Sequence, residues 1–428
     1  MKIGFISLGC AKNLVDSEHI IGLFDDPFFE IEKDPKKCEA ILINTCGFIE
    51  SAKTESINTI LEMAELKEDK LKYLIVTGCL TQRYYDELLK EFPEVDLFVS
   101  IKDYPLLAQK LSKLFNHEFN TSYGKNRKMI TNSYSAYLKI GDGCNNRCAY
   151  CAIPIIRGNY YSFPQEEVVN EAKRLLSIGV KELNVVAQDT TTYGSDINFS
   201  LANLLRELDE LDFKWIRVLY MYPDEITDEL LEVMKNSKRI LPYFDIPVQY
   251  GDDMMLKKMN RRGSVELIYE RVNHIRDMFP DATIRTTLII GFPYETEEAF
   301  NNTLKMVEDL KFDSLGAFTY SREEDTAAYD YPQVAEEDAN RRYDILMSKQ
   351  QEIIFKKNEE KIGQSYEILI ERYESIFKRY VGRSIMSAPD GVDGVVYLKT
   401  DEEFKPGDFV KVKITDTKGY DLIAELDV

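Results

Sequence analysis

Cys144, Cys148 and Cys151 stand at C-x3-C-x2-C spacing in the stretch GDGCNNRCAYCAIPIIRG, residues 141 to 158. A cubane iron–sulfur cluster normally takes four cysteine ligands. Three thiolates on one short loop can therefore hold three irons and leave the fourth open to a substrate or cofactor. Zinc is the alternative, since it too takes three or four such ligands. Zinc loops more often come as two distant C-x2-C pairs, and no second pair occurs here.

Three more cysteines, Cys10, Cys46 and Cys79, each close an apolar, β-branched run: IGFISLGC, AILINTCGF and YLIVTGC. They lie 36 and 33 residues apart, about one βα repeat each. A parallel sheet built from those repeats brings its strand ends to one edge, where a ligand site is expected. Three cysteines at equivalent strand ends point to a second metal cluster. Cys38, in a charged loop, reads instead as a small buried core thiol.

The elements that must position these residues follow from the periodicity. Amphipathic stretches at 13–24, 49–66 and 81–92 alternate with the three runs, and a fourth run at 95–100 with a helix at 103–115 completes an open parallel α/β sheet domain over residues 1–117. Residues 118–134 are polar, lack an apolar period and read as a linker. Over 135–362 strands at 136–140, 181–187, 215–222, 243–248, 282–291 and 314–320 alternate with helices, an incomplete TIM-like barrel of six βα units ending in a charged helix from 338. Active sites of such barrels lie at the carboxyl ends of the strands, and the cysteine loop follows the first. Residues 363–428 change to period two, with turns at Asp390-Gly391, Pro406-Gly407 and Lys418-Gly419, and predict a small antiparallel, OB-like β-barrel.

Composition narrows the function classes. The net charge of −20 argues against large sequence-independent affinity for nucleic acid. Seven cysteines, an odd number, do not look like a disulfide framework and suit a reducing compartment. No apolar run is long enough to span a membrane, and MKIGFISLGCAKN lacks the basic region and long apolar core of a signal peptide, so a cytoplasmic protein is expected. His19, His117 and His274 fall on predicted helices or the linker, in surface or capping roles.

The cysteine loop, with Tyr150 at an aromatic position before its last cysteine, resembles that of the radical S-adenosylmethionine (SAM) superfamily. With Cys10, Cys46 and Cys79 added, the chain resembles the methylthiotransferase branch of that superfamily over essentially its whole length. GCAKNLVDSE (9–18) and NTCGFI (44–49) look like the RimO type, which modifies ribosomal protein S-twelve; the tRNA-modifying MiaB type usually reads GCQMN at the first. The last domain, with GR...APDGVDG, resembles a TRAM domain.

The resemblance implies two 4Fe-4S clusters, a radical-generating one on Cys144, Cys148 and Cys151 and an auxiliary one on Cys10, Cys46 and Cys79 for sulfur transfer. SAM would bind the open iron and be cleaved to a 5'-deoxyadenosyl radical, chemistry that a cofactor must carry. Tyr150, Gln188, Asp189, Gln249, Arg285, Thr287 and Gly291 correspond to stretches that line the SAM and substrate pocket in the family. Tyr250 stands where His is usual, Tyr294 where the GFPGET glycine is usual, and Phe163 where a basic residue is common.

The activity implied is methylthiolation of the β carbon of an aspartate in ribosomal protein S-twelve, free or in the small subunit, with an electron donor such as flavodoxin or ferredoxin and an unnamed sulfur donor. Within residues 363–428 nine Lys and Arg face thirteen Asp and Glu, a balance that suits a basic protein partner better than RNA, although lysines such as Lys411 and Lys413 leave a local nucleic-acid contact open. Methylthiolation of a tRNA adenosine is the alternative activity. A non-enzymatic iron–sulfur electron carrier or RNA-binding adaptor is the alternative of another class.

Overall fold

The computed structural model describes residues 1–427, arranged as two compact units. The first comprises Met1–Thr131 with two inserted segments, Asp142–Tyr160 and Ser321–Tyr329.

In the first unit β1 (Lys2–Ser7), α1 (Ala11–Gly22), β2 (Glu30–Ile31), β3 (Ala40–Thr45), α2 (Glu50–Glu65), β4 (Tyr73–Gly78), α3 (Cys79–Arg83), α4 (Tyr85–Glu91), β5 (Leu97–Val99) and α5 (Leu107–Phe115) follow one another. The five strands form one parallel sheet in the order β2-β1-β3-β4-β5. All six residues of β3 are buried, as expected for a strand covered by helices on both faces. One apolar cluster, around Phe24, Leu42 and Leu111, and a second, around Ile43, Ile60 and Val76, contain residues of successive strands and helices. Cys38 belongs to the second and is buried there.

Several details differ from the periodicity. The stretch 81–92 is two helices, broken at Tyr84, whose φ of −125° and ψ of 38° are not helical. The expected helix from 103 starts as a 3-10 turn, Ile101–Leu106, because Pro105 cannot donate a backbone hydrogen bond; the α-helix begins at Leu107. The edge strand β2 is two residues long and carried no periodic signal. Part of the stretch read as a linker is docked: Arg127 pairs with the buried Glu18, and Tyr123 donates to Asp16 at 3.1 Å, both carboxylates on α1. His117 pairs with Asp26 at 3.1 Å and stacks on Phe28.

In the second unit β6 (Ser135–Lys139) leads a six-stranded parallel sheet. After the short strands β7 (Gly141–Asp142) and β8 (Tyr161–Ser162) come α7 (Gln165–Ser177), β9 (Glu182–Val186), α8 (Leu201–Asp209), β10 (Trp215–Val218), α9 (Asp228–Asn236), β11 (Ile240–Asp245), α10 (Asp253–Lys258), α11 (Val265–Met278), β12 (Thr283–Ile290), α12 (Glu297–Leu310), β13 (Ser314–Thr319) and α13 (Glu336–Glu359). The sheet runs β6-β9-β10-β11-β12-β13 without closing. Ser200, Thr227, Ser264 and Thr296 cap α8, α9, α11 and α12 by accepting a backbone N–H, which sets where those helices begin.

The last five strands, β14 (Ser365–Glu374), β15 (Arg379–Ser384), β16 (Val396–Leu398), β17 (Phe409–Lys418) and β18 (Asp421–Leu426), close a barrel in which every neighbouring pair is antiparallel except β16 and β18. A buried Glu182 at the start of β9 ties this barrel to the sheet: Arg383 reaches it at 2.6 Å and Arg217 at 3.4 Å. Burial pushes the Glu182 carboxyl up, but the two guanidiniums outweigh it and bring it down to about 2.

Candidate metal centre

The strand order of the first unit contains a reversal: from β1 the chain goes outward to β2 on one side, then to β3, β4 and β5 on the other. Crevices form outside the carboxyl ends of strands at such a point. Cys10 follows β1 and caps α1, Cys46 follows β3, and Cys79 opens α3 directly after β4. Neighbouring strands lie about 4.8 Å apart, so adjacent strands β1, β3 and β4 carry the three cysteines to one edge.

Their mutual influence is explicit. Burial, then the charges of Cys79 and Cys10, push the Cys46 thiol up to about 11. Burial chiefly raises Cys79, Cys10 adds to it, and Arg157 opposes it. Cys10 keeps exposed surface although it is densely surrounded; that desolvation raises its thiol, but Lys12, Arg157 and the N–H groups of Asn13 and Lys12 outweigh it and hold it below the ordinary thiol range. Gly9 makes the approach possible. With φ at +87° it occupies the left-handed region, and a Cβ there would lie 2.9 Å from both Cβ and Sγ of Cys46.

The second trio sits on the inserted segment Asp142–Tyr160 of the same unit. The loop is closed by its own backbone: Cys144 N–H donates to Gly158 O at 3.2 Å and Cys151 N–H to Cys148 O at 3.0 Å. Asn145 and Asn159 accept from Tyr160 N–H and Arg147. Cys144 and Cys148 are buried and Cys151 half-buried, and Tyr150 lies between the last two. The helical turn α6 (Ile153–Ile156) follows, and its Ile156, with Ala152, packs in one apolar cluster with Cys79 of the first trio.

Two charged groups join the loops, and periodicity revealed neither. The Arg157 side chain is 2% exposed; its Nη1 lies 2.6 Å from Asp16 and 2.9 Å from Asp142, and its Nη2 lies 3.2 Å from Asn13 and 3.5 Å from Cys79 Sγ. A lone arginine in the apolar run AIPIIRG was the available signal. Glu323, on the segment Ser321–Tyr329, is 1% exposed and meets Arg83 at 2.9 Å and Lys53 at 3.1 Å. Arg83 also donates to Gly47 O, next to Cys46, while Ala328 N–H donates to Ala149 O in the second loop. Glu323 had no signal in the sequence.

Each trio supplies free thiols, the donor type that iron–sulfur clusters take. Among the described residues no group of three or more Cys, His, Asp or Glu side chains is arranged to hold a metal ion.

In the second unit Gln188 and Asp189 follow β9, Gln249 follows β11 and Gly291 follows β12, all at carboxyl ends. Asp189 is buried, accepts from Thr191 at 2.7 Å and lies 4.0 Å from Arg262, which pairs with Glu225 at 2.6 Å. Gln249 has a φ of +71° and bridges to Leu288. Thr287 is mid-strand, its O accepting from Gln249 N–H. Gly291, expected in a stretch that lines the pocket, has a φ of +73° and turns the face without a side chain to Ala339 of α13, where a Cβ would fall 2.4 Å away. Arg285 is the clear departure from the expected pocket. It lies near the start of β12 and its guanidinium is taken up by Asp390 at 2.6 Å, Asp393 at 3.7 Å and Asp245 at 3.8 Å. The carboxylates of the last barrel, distant in sequence, claimed it.

Residues 138–307 match the radical SAM superfamily, residues 2–100 match an uncharacterized protein family, UPF0004, and residues 362–426 match the TRAM domain. Proteins described as ribosomal protein uS12 methylthiotransferase RimO are 48% identical in Alkaliphilus oremlandii, over 100% of this chain and 99% of that one, and 46% identical in Caldicellulosiruptor saccharolyticus, over all of both. The chain belongs to the RimO methylthiotransferase family. Members of this radical SAM family are enzymes that use a 4Fe-4S cluster and SAM. The radical SAM methyltransferase TsrM of Kitasatospora setae shares the fold, with a TM-score of 0.58 over 77% of each chain at 14% identity. For this RimO family member Tyr294, at the usual glycine, is instructive: its φ is +68°, the left-handed conformation that glycine adopts freely, and Lys258 lies over its ring at 4.2 Å. Tyr250, at the usual histidine, is fully buried; burial first, then Glu295, pushes its hydroxyl far up.

Proposed function

We propose that the chain methylthiolates the β carbon of an aspartate in ribosomal protein uS12, in the cytoplasm, using two clusters and SAM. Cys144, Cys148 and Cys151 would hold the radical-generating cluster, and Cys10, Cys46 and Cys79 the auxiliary one. When bound, the clusters supply the electron that cleaves SAM and the iron that carries sulfur. The protein's own part is to hold and orient. A Cβ–H bond without acidity is out of reach of a side-chain base at ordinary pKa, so no residue here needs to act as one on that carbon.

The observation that carries the reading is the meeting of three cysteines from three strand ends in the same compact unit as the cysteine loop. Tyr150, Gln188, Asp189, Gln249, Thr287 and Gly291 are proposed for the SAM and substrate pocket; Arg285 is left out because its charge is committed elsewhere. Electrons would come from a flavodoxin or ferredoxin. An acidic last domain, with nine cationic and thirteen anionic side chains over 363–428, supports a basic protein substrate over tRNA. Mass spectrometry of uS12 and of tRNA nucleosides, from cells with and without the protein, tests this. Loss of the methylthio group from uS12 alone is expected; loss from tRNA alone would overturn the substrate.

A further inference from the structure

The Arg157 guanidinium is buried, and a buried charge persists only where it is paired and hydrogen-bonded. Asp16 and Asp142 satisfy the pairing through Nη1 alone. The other nitrogen, Nη2, is directed to Asn13 Oδ1 and to the sulfur of Cys79. Its four partners lie on three separate stretches of chain: α1, the start of α3 and the second cysteine loop, whose Cys151 stands six residues before the arginine itself.

We propose that Arg157 is a positioning residue that fixes the second cysteine loop against the first trio and gives Cys79 sulfur a charged hydrogen-bond donor, favouring the reduced auxiliary cluster. This rests on the auxiliary-cluster reading above. Reduction adds negative charge, and cluster potentials respond to net charge and to hydrogen bonds at the sulfurs. Asp16 acts on Cys79 through its negative charge, and the guanidinium, which pairs with Asp16 and Asp142, opposes it at the sulfur. Lysine could restore the charge but not the planar fork that reaches carboxylates and sulfur together.

The test uses the full chain carrying C144A, C148A and C151A, so that only the first trio can hold iron. Reconstituted protein is titrated electrochemically and followed by electron paramagnetic resonance, alone, with Arg157→Lys, and with Asp16→Asn plus Arg157→Gln. The double change leaves the net charge of the site unaltered and avoids an unpaired buried Asp16, while Asp142 loses its cation but keeps the Gly143 N–H; retention of four irons in the double variant shows that the site survives the change. Its reduction equilibrium is expected to become at least tenfold less favourable, a midpoint lower by about 59 mV for one electron, with Arg157→Lys falling between it and the parent. An unchanged midpoint in the double variant would overturn the role of Arg157. A parent without four irons per chain would instead overturn the auxiliary cluster itself, and with it this role.

Discussion

The two cysteine trios reach similar ends by opposite routes. Cys144, Cys148 and Cys151 span eight residues and are held by hydrogen bonds inside their own loop. Cys10, Cys46 and Cys79 span seventy residues and meet only because β1, β3 and β4 are adjacent in one parallel sheet. The first set is therefore local and the second is a property of the fold. Damage to the sheet edge should disable the strand-end trio while sparing the loop.

The sharpest separation comes from removing one ligand of each kind. Cys46→Ala is expected to abolish methylthiolation while SAM cleavage continues, with iron falling from about eight to about four atoms per chain; Cys148→Ala should abolish both reactions. Product analysis by mass spectrometry and 5'-deoxyadenosine release read the two outcomes, and a Cys46→Ala chain that still makes product would break the division of labour.

Glu323 is the next largest lever. Neutralising it by Glu323→Gln removes the only carboxylate, among the described residues, within reach of the buried Arg83 guanidinium, which keeps backbone acceptors only, while Lys53 keeps Glu50; breaking such a buried pair typically costs about 3–5 kcal/mol. Urea unfolding should show the loss, and iron on the strand-end trio, whose Gly47 carbonyl Arg83 holds, should be released first.

The finest comparison is between two glycines of similar backbone. Gly158 has a φ of +78° with nothing within 4 Å of an added Cβ, so Gly158→Ala carries only the left-handed penalty, about 1–2 kcal/mol. Gly9→Ala adds a collision with Cys46 and should cost more, with cluster loss confined to the strand-end trio. Equal destabilisation by thermal unfolding, with both clusters retained, would show that the strand-end trio tolerates a displaced Cys46.

Much of the architecture was readable because its repeats obey simple periods. Helices alternate with the six parallel strands of the second unit, and the period-two stretch from 363 closes into a small β-barrel, as the patterns predict. Pattern failed where one residue overruled its neighbours: Tyr84 breaks a continuous amphipathic stretch, Pro105 delays a helix, and Arg127 docks a polar segment onto Glu18. Arg285 is the most useful failure, since its place on a barrel strand was read correctly and its destination was not.

The expectation of cluster ligands came from residue type and spacing alone, three thiols on one loop and three at successive strand ends. The partners of the buried charges were decided only in three dimensions. Arg157 and Glu323 pair with groups up to 270 residues away in sequence, and the energy that selects such pairs arises only when water has been excluded from around them.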